Sequence, residues 1–242
     1  MPASQNPVTP VAVVTGASRG VGLAISTRLA RIGHHVVLCA RSQADLDQAV
    51  AAIRAQGRSA SAYRCDVSNA EEVAALASSV LAEFGRCDVL INNAGIGAMG
   101  APLPQVEPAT FDRVMATNLR GPYLLLRAFA PAMIAARTGH IINIGSLAGK
   151  NPLPNGAPYS ASKWGLLGLM LSAAEELRPH GVRVSVISPG SIATDLGGHA
   201  RKDDAWKISP EDVAAVVEDL VRQSPRSFIS EVLLRPLHKP KA

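Results

Sequence analysis

The chain has 242 residues, of which 48% are hydrophobic, 4% aromatic and 18% charged; this excludes a disordered or fibrous chain and suits one substantial α/β core. The formal net charge is +5, with 24 Lys and Arg scattered rather than clustered with aromatics, which argues against a nucleic-acid binder and fits an anionic small ligand. No apolar run reaches the ~18 residues of a membrane span, and Cys39, Cys65 and Cys87 lack C-x-x-C spacing, so reduced thiols and a cytoplasmic location are expected.

Residues 1–10 hold three prolines and neither a positive charge nor an apolar stretch, and read as a flexible leader rather than a signal peptide. From residue 11 onward β-branched runs alternate with Ala-rich amphipathic stretches, which predicts a single domain over 11–242. Strands are expected at 11–15, 35–39, 59–64, 89–92, 140–144, 182–188 and 232–235. Helices are expected at 20–32, 44–56, 70–84, 111–136, 159–178 and 211–222. The first six strands are apolar on both alternating positions, the pattern of strands covered on both faces of a parallel sheet. Such alternation predicts a doubly wound, mostly parallel seven-stranded sheet with helices on both faces. Ser68-Asn69-Ala70-Glu71-Glu72 and Ser209-Pro210-Glu211-Asp212 mark two of the helix starts with capping side chains and carboxylates.

The first strand runs into Thr15-Gly16-Ala17-Ser18-Arg19-Gly20-Val21-Gly22. Glycines there allow a tight turn and close backbone approach to a diphosphate, and the helix behind offers unpaired N–H groups to it. The spacing is G-x-x-x-G-x-G rather than G-x-G-x-x-G. Many strand-to-helix turns carry glycine for geometry alone, but three glycines opening the first βα unit of a doubly wound sheet point to a nucleotide. In this place the chain resembles the short-chain dehydrogenase/reductase family, which carries T-G-x-x-x-G-x-G, and the resemblance runs nearly the whole length.

The second strand ends Ala40-Arg41-Ser42-Gln43, where an NAD enzyme of this Rossmann architecture usually places an acid. Arg41, with Arg19 and the Ser18 and Ser42 hydroxyls, suits a 2′-phosphate instead, so NADP(H) is the expected cofactor; two solvated surface arginines are the plain alternative. Asp66, in Cys65-Asp66-Val67, matches the family's acid beside the adenine, a helix-capping aspartate being the other reading. Asn92-Asn93-Ala94-Gly95 matches the family's N-N-A-G, which places Asn92 and Ala94 at the cofactor.

Strand five closes on Ile144-Gly145-Ser146, followed by Tyr159-Ser160-Ala161-Ser162-Lys163. Tyr159 and Lys163, at i and i+4, share one helix face. An ammonium beside a phenol favours phenolate, and lowering a tyrosine from about 10 to about 7 needs roughly 4 kcal/mol of such stabilisation. By itself Y-x-x-x-K is an ordinary helix-surface pair; its place at the carboxyl ends of the strands is what singles it out. The set resembles the family's catalytic residues, which implies Tyr159 as general acid–base, Ser146 as carbonyl hydrogen-bond donor and Lys163 as ribose ligand. Asn118 would then hold a water linked to Lys163. Pro189, Gly190, Ile192 and Thr194 match the family's P-G loop over the nicotinamide. Segment 195–207, with Trp206, reads as a short polar lid, and Leu147, Pro152, Leu153 and Pro154 as apolar pocket walls.

The implied activity is reduction of a carbonyl, best fitted by a 3-oxoacyl thioester or similar ketone, to a secondary alcohol. The ending Glu231-Val232-Leu233-Leu234-Arg235-Pro236 departs from the oxoacyl reductases toward broad-range carbonyl, sepiapterin or hydroxy-acid and sugar dehydrogenases of the family. A non-catalytic NADP-binding sensor remains the rival class, because fold does not establish chemistry. A nucleophile elbow, G-K-[ST] after the glycines and metal-ligand spacing among the six histidines are all missing, so a hydrolase, a P-loop enzyme and a metal site are not expected. The resemblance further implies a homodimer or homotetramer, with an acyl carrier protein left open as a partner.

Overall fold

The structure is a computed structural model that describes residues 9–193 and 205–238. Its sheet is built from β1 (Val11–Thr15), β2 (His35–Ala40), β3 (Ala60–Arg64), β4 (Val89–Asn92), β5 (Gly139–Ile144), β6 (Val182–Pro189) and β7 (Glu231–Leu234). The order is β3-β2-β1-β4-β5-β6-β7, and every neighbouring pair is parallel, so the expected mostly parallel sheet is parallel throughout. The chain reverses direction across the sheet between β1 and β4, and a crevice opens there above the carboxyl ends of the strands.

Alternate residues of each strand feed two cores. Val11, Val13, Val37 and Leu90 pack on one face against α3 (Ala70–Phe84), α5 (Gly121–Ala136) and α6 (Ala157–Leu177). Ala12, Val14, Val36 and Leu38 pack on the other against α1 (Gly20–Arg31), α2 (Gln43–Arg54) and α7 (Pro210–Val221). A strand covered on both sides needs apolar residues at successive positions, which is why the runs lacked alternation. The helix starts follow their capping chemistry. Asn69 Oδ1 accepts from the Glu71 and Glu72 N–H groups at 2.9 and 3.2 Å, and Ser209 forms a capping box with Asp212.

The helical region expected over 111–136 is not continuous. It divides into α4 (Pro108–Met115), a π-helical turn (Ala116–Arg120) and α5. Short 3₁₀ turns at Leu103–Gln105, Leu147–Gly149 and Arg178–His180 were not anticipated. Of the leader, only residues 9 and 10 are described. All three cysteines are free and buried. Among the described residues no helix is long and apolar enough to cross a membrane, and no cluster of His, Cys, Asp and Glu could hold a metal ion.

A buried histidine in β5 ties acid stability to this core. Ser185 Oγ donates to the Ile229 carbonyl at 2.6 Å, so its contact of 2.8 Å with His140 Nε2 requires that nitrogen to carry a proton. His140 Nδ1 is then the bare nitrogen, buried without a partner. Burial, aided by the Arg183 charge, pushes this imidazole down to about 3 from an ordinary 6.5. Between those values the unfolded chain binds the extra proton, so stability is complete above pH 6.5 and falls toward pH 3. Loss on the order of 4 kcal/mol is expected at pH 3. Urea unfolding at pH 7 and pH 4 should show a steeper loss in the unaltered protein than in His140→Gln; equal slopes would remove His140 as the cause.

Candidate active site

The crevice is a cleft of about 1000 Å³ that begins at the glycine turn and ends beside β7. At its first end, Gly16 and Gly20 hold φ of +63° and +55°, a region that favours glycine. A Cβ on Gly16 would stand 2.9 Å from the Ala94 Cα, and one on Gly22 only 2.2 Å from the Gly16 carbonyl oxygen. The turn is therefore bare backbone by necessity. Helix α1 starts on Arg19 with no side-chain cap and no acid in its first turn, which leaves its N-terminal N–H groups open to an anion. A diphosphate fits that opening, and the residues present fit a dinucleotide.

The turn is held from behind. Thr15 Oγ1 donates to the Ile91 carbonyl and accepts from the Asn93 and Ala94 N–H groups, each at 3.1 Å. Asn93 Nδ2 donates to the Thr15 and Gly16 carbonyls at 2.8 and 3.2 Å. These contacts lock β1 to β4 where the cleft begins. Sequence reasoning counted Asn92, not Asn93, among the cofactor residues. Asn92 instead lies in the sheet, its Nδ2 donating to Asn143 Oδ1 at 2.7 Å on the adjacent strand, and it does not line the cleft. Asn93 does. The reason is strand parity: one residue further along, just beyond β4, the side chain turns toward the glycine turn.

Arg19, Ser18 and Arg41 line the same end, with both arginines exposed. Ser42 Oγ accepts from the Asp45 N–H as the cap of α2, which leaves its hydroxyl proton to donate outward. Asp66 plays the turn role and still faces the cleft. Its Oδ1 accepts from Ser68 Oγ at 2.7 Å and from Ser68 N–H at 2.9 Å. Burial pushes its carboxyl up, but the Ser68 bonds and the Arg41 and Arg64 guanidiniums outweigh that and hold it below the usual carboxylate range. Gly20, Val21, Val67 and Ala94 complete this end.

At mid-cleft, above β5, stand Ser146, Tyr159 and Lys163. Ser146 Oγ accepts from the Ala148 N–H at 3.1 Å, so its proton is available to a ligand. Ser160 Oγ donates to the Ala148 carbonyl at 2.6 Å, which fastens the Ser146 turn to α6. Lys163 Nζ donates to the Ile144 carbonyl at 2.9 Å and lies 5.8 Å from the centre of the Tyr159 ring.

Burial works against the expected acidification of the phenol. Burial raises the Tyr159 pKa above its ordinary 10, and the neighbouring Ser146 hydroxyl offsets this only partly. Lys163 is itself fully buried, which brings its ammonium down to about 8. An ammonium that sheds its proton so readily, and bonds to a carbonyl, is a weak stabiliser of a nearby phenolate.

Asn118 sits behind the cleft in the π-helical turn, 1% exposed. Its Oδ1 accepts from the Ile96 N–H at 2.8 Å, and its Nδ2 donates to the Ile96 carbonyl at 2.9 Å and to Ser162 Oγ at 3.1 Å. Both amide protons are thereby committed to protein, so the side chain clamps the 93–99 loop to α6 rather than presenting a donor to water. A π-turn is the local cause, since an i→i+5 bond swings one residue sideways out of the helical face.

At the far end Pro189, Gly190 and Ile192 line the cleft, with Leu147, Pro152 and Leu153 as apolar walls; Pro154 is not among them. Thr194 and most of the expected lid lie outside the described residues. Trp206 faces the cleft. Arg235, Pro236 and His238, beyond β7, also line it, and sequence reasoning had not placed them there.

A family model described as short chain dehydrogenase matches residues 10–205. A 3-oxoacyl-acyl-carrier-protein reductase of Synechocystis sp. is 37% identical over 228 residues, covering 91% of this chain and 92% of that one. A sepiapterin reductase of Chlorobaculum tepidum is 32% identical over 234 residues, covering 93% and 96%. The crystal structure of a metagenomic short-chain oxidoreductase in complex with NADP is 54% identical, with a TM-score of 0.86 over 97% of this chain and 100% of that one.

Proposed function

This chain belongs to the short-chain dehydrogenase family, and from that premise we propose that it is an NADP(H)-dependent oxidoreductase reducing a carbonyl, a 3-oxoacyl thioester or similar ketone, to a secondary alcohol. Residues 11–242 would form one catalytic domain. The observation that carries the proposal is the convergence of Ser146, Tyr159 and Lys163 in the cleft that the glycine turn opens. The oxoacyl reductase and sepiapterin reductase named above are the relatives that support a ketone substrate. A pure cofactor sensor has no use for a buried proton donor facing the cleft.

When bound, the cofactor supplies a hydride to the carbonyl carbon. Ser146 Oγ donates a hydrogen bond to the carbonyl oxygen, holding it and countering the negative charge that grows there. The Tyr159 O–H bond breaks as its proton passes to that oxygen, so the carbonyl π bond becomes a C–H and an O–H bond. The phenolate left behind recovers a proton from the Lys163 ammonium, which a pKa of about 8 makes ready to give near neutral pH. Lys163 would also hold the nicotinamide ribose, and Pro189, Gly190 and Ile192 would orient the ring. Asn118 acts as a positioning residue through Ile96 and Ser162.

Arg41 and Arg19 would bind the 2′-phosphate, with Asp66 and Val67 beside the adenine. Activity with a panel of small ketones and an acetoacetyl thioester should be read as oxidation of the reduced cofactor. The ratio of kcat/KM for NADPH over NADH is expected to exceed 100, and to fall at least about tenfold in Arg41→Asp, the loss of one charge-assisted contact to phosphate. A preference for NADH in the unaltered protein would overturn the cofactor assignment, and no oxidation with any carbonyl the function. Exposed Phe111, Tyr123, Trp164 and Leu171 on α4, α5 and α6 support assembly of two or four copies through those helices.

A further inference from the structure

The cleft carries positive charge at both ends, and only one end is explained by the cofactor. Arg19 and Arg41 stand at β1 and β2, and the acids that line the cleft among the described residues, Asp45 and Asp66, follow β2 and β3. Arg235 stands at the other end. It immediately follows β7, whose Leu234 carbonyl accepts from the Gly190 N–H at 3.1 Å and whose Leu234 pairs in register with Pro189. Five strand spacings separate β2 from β7 in the sheet. At about 4.8 Å each, Arg235 lies roughly 24 Å from the place of the 2′-phosphate and four spacings, roughly 19 Å, from the diphosphate turn at β1. It cannot serve either group.

Arg235 is linked to the reacting centre through a single loop. A Cβ on Gly190 would meet the Leu147 side chain at 3.2 Å, so the loop bonded to Leu234 packs directly on the residue after Ser146. Arg235 is exposed, lines the cleft, and makes no ion pair among the described residues. The acid on its own strand, Glu231, is already paired with Lys150 at 2.9 Å. His238, Trp206 and Lys207 line the same cleft, together with the apolar Leu147, Pro152 and Leu153. An exposed guanidinium in that cleft, one loop from the carbonyl-binding serine, is suited to bidentate pairing with a carboxylate or phosphate.

We infer that Arg235 is a specificity-determining residue that binds an anionic group on the substrate close to the reacting carbonyl, so that the substrate class is an oxo acid or an oxo phosphate ester. This rests on the carbonyl-reductase reading. It separates a compact anionic ketone from a long neutral acyl thioester, whose only charge would be remote.

Matched pairs test it: acetoacetate against methyl acetoacetate, and dihydroxyacetone phosphate against dihydroxyacetone, each with NADPH. The unaltered protein is expected to favour at least one anion over its neutral partner by tenfold or more in kcat/KM, and the pair that shows it identifies carboxylate or phosphate. Arg235→Gln should erase that preference mainly through KM, and Arg235→Lys should keep a large part of it. Because the readout is a ratio, a general loss of activity in a variant cancels. Measurable rates with no anion preference, or a preference that survives Arg235→Gln, would overturn this inference while leaving the reductase intact. No oxidation of NADPH by any of the four compounds alongside turnover of an acetoacetyl thioester would overturn this inference alone, and no oxidation by any of these carbonyls would overturn both.

Discussion

Tyr159→Phe is expected to lower kcat for NADPH-dependent carbonyl reduction about a thousandfold, with cofactor affinity changed no more than severalfold. Removing one oxygen deletes the proposed general acid, and a positioned general acid contributes on the order of a hundred- to ten-thousandfold. The ring itself stays, 7% exposed in the native protein, so its packing on α6 and the sheet survives. Steady-state assays with NADPH and a ketone, beside fluorescence titration of NADPH, check both halves. Residual kcat above a tenth of the native value would mean that the proton comes from elsewhere, with Lys163 the next candidate to examine.

Gly22→Ala should be the most damaging single change at the cofactor end. Its new methyl would stand 2.2 Å from the Gly16 carbonyl oxygen and 2.6 Å from Asn93 Nδ2, and neither is the loose end of a flexible chain. Backbone must move, and the part that moves is the turn meant to receive the diphosphate. Overpacking of this kind costs about 1–3 kcal/mol of stability, and NADPH affinity is expected to drop at least a hundredfold. Gly168→Ala is the natural contrast. A methyl there meets nothing within 4 Å on an exposed helix position, so a gain of about 0.5–1 kcal/mol is expected. Urea unfolding and NADPH titration of the two variants give the comparison, and native-like NADPH binding by Gly22→Ala would contradict a close-packed diphosphate turn.

Much of this was legible in the chain because local chemistry and global fold agree. Valine and isoleucine at successive positions require cover on both faces, and the alternation of such runs with helices leads to a parallel sheet. The glycine turn was legible for the same reason: a Cβ on Gly16 or Gly22 would collide, and Gly16 and Gly20 hold positive φ. Illegible features depended on contacts between distant parts of the chain. Asn92 and Asn93 are chemically identical neighbours, and only the pairing of β4 with β5 sends the first into the sheet and the second to the cofactor turn. Met115 through Gly121 is good helical sequence on both sides, so the π-turn that aims Asn118 at Ile96 leaves little local trace. Arg235 reaches the cleft only because β7 adds beside β6, a placement set by the sheet edge. The i, i+4 spacing shows that Lys163 neighbours Tyr159, but not that Lys163 is as buried as the phenol, since that depends on how α6 packs on the sheet.

These local facts combine into one division of labour. On the proposed reading, bare backbone at β1 and α1 would receive phosphate, buried side chains above β5 would manage a single proton, and the edge after β7 would select the substrate. Thr15 and Asn93 fasten the first part between β1 and β4, Ser160 fastens the second between α6 and the Ser146 turn, and both are carried by one sheet. Such positioning is the main contribution a protein makes to hydride transfer.

A crystal structure with oxidised NADP soaked in tests that spatial relation most directly. The diphosphate should lie against the first turn of α1, and the reactive ring carbon should leave room for a carbonyl about 3–3.5 Å away that also touches the Tyr159 and Ser146 hydroxyls. A nicotinamide ring turned away from Tyr159, or a diphosphate bound anywhere but the glycine turn, would contradict the proposed chemistry at its root.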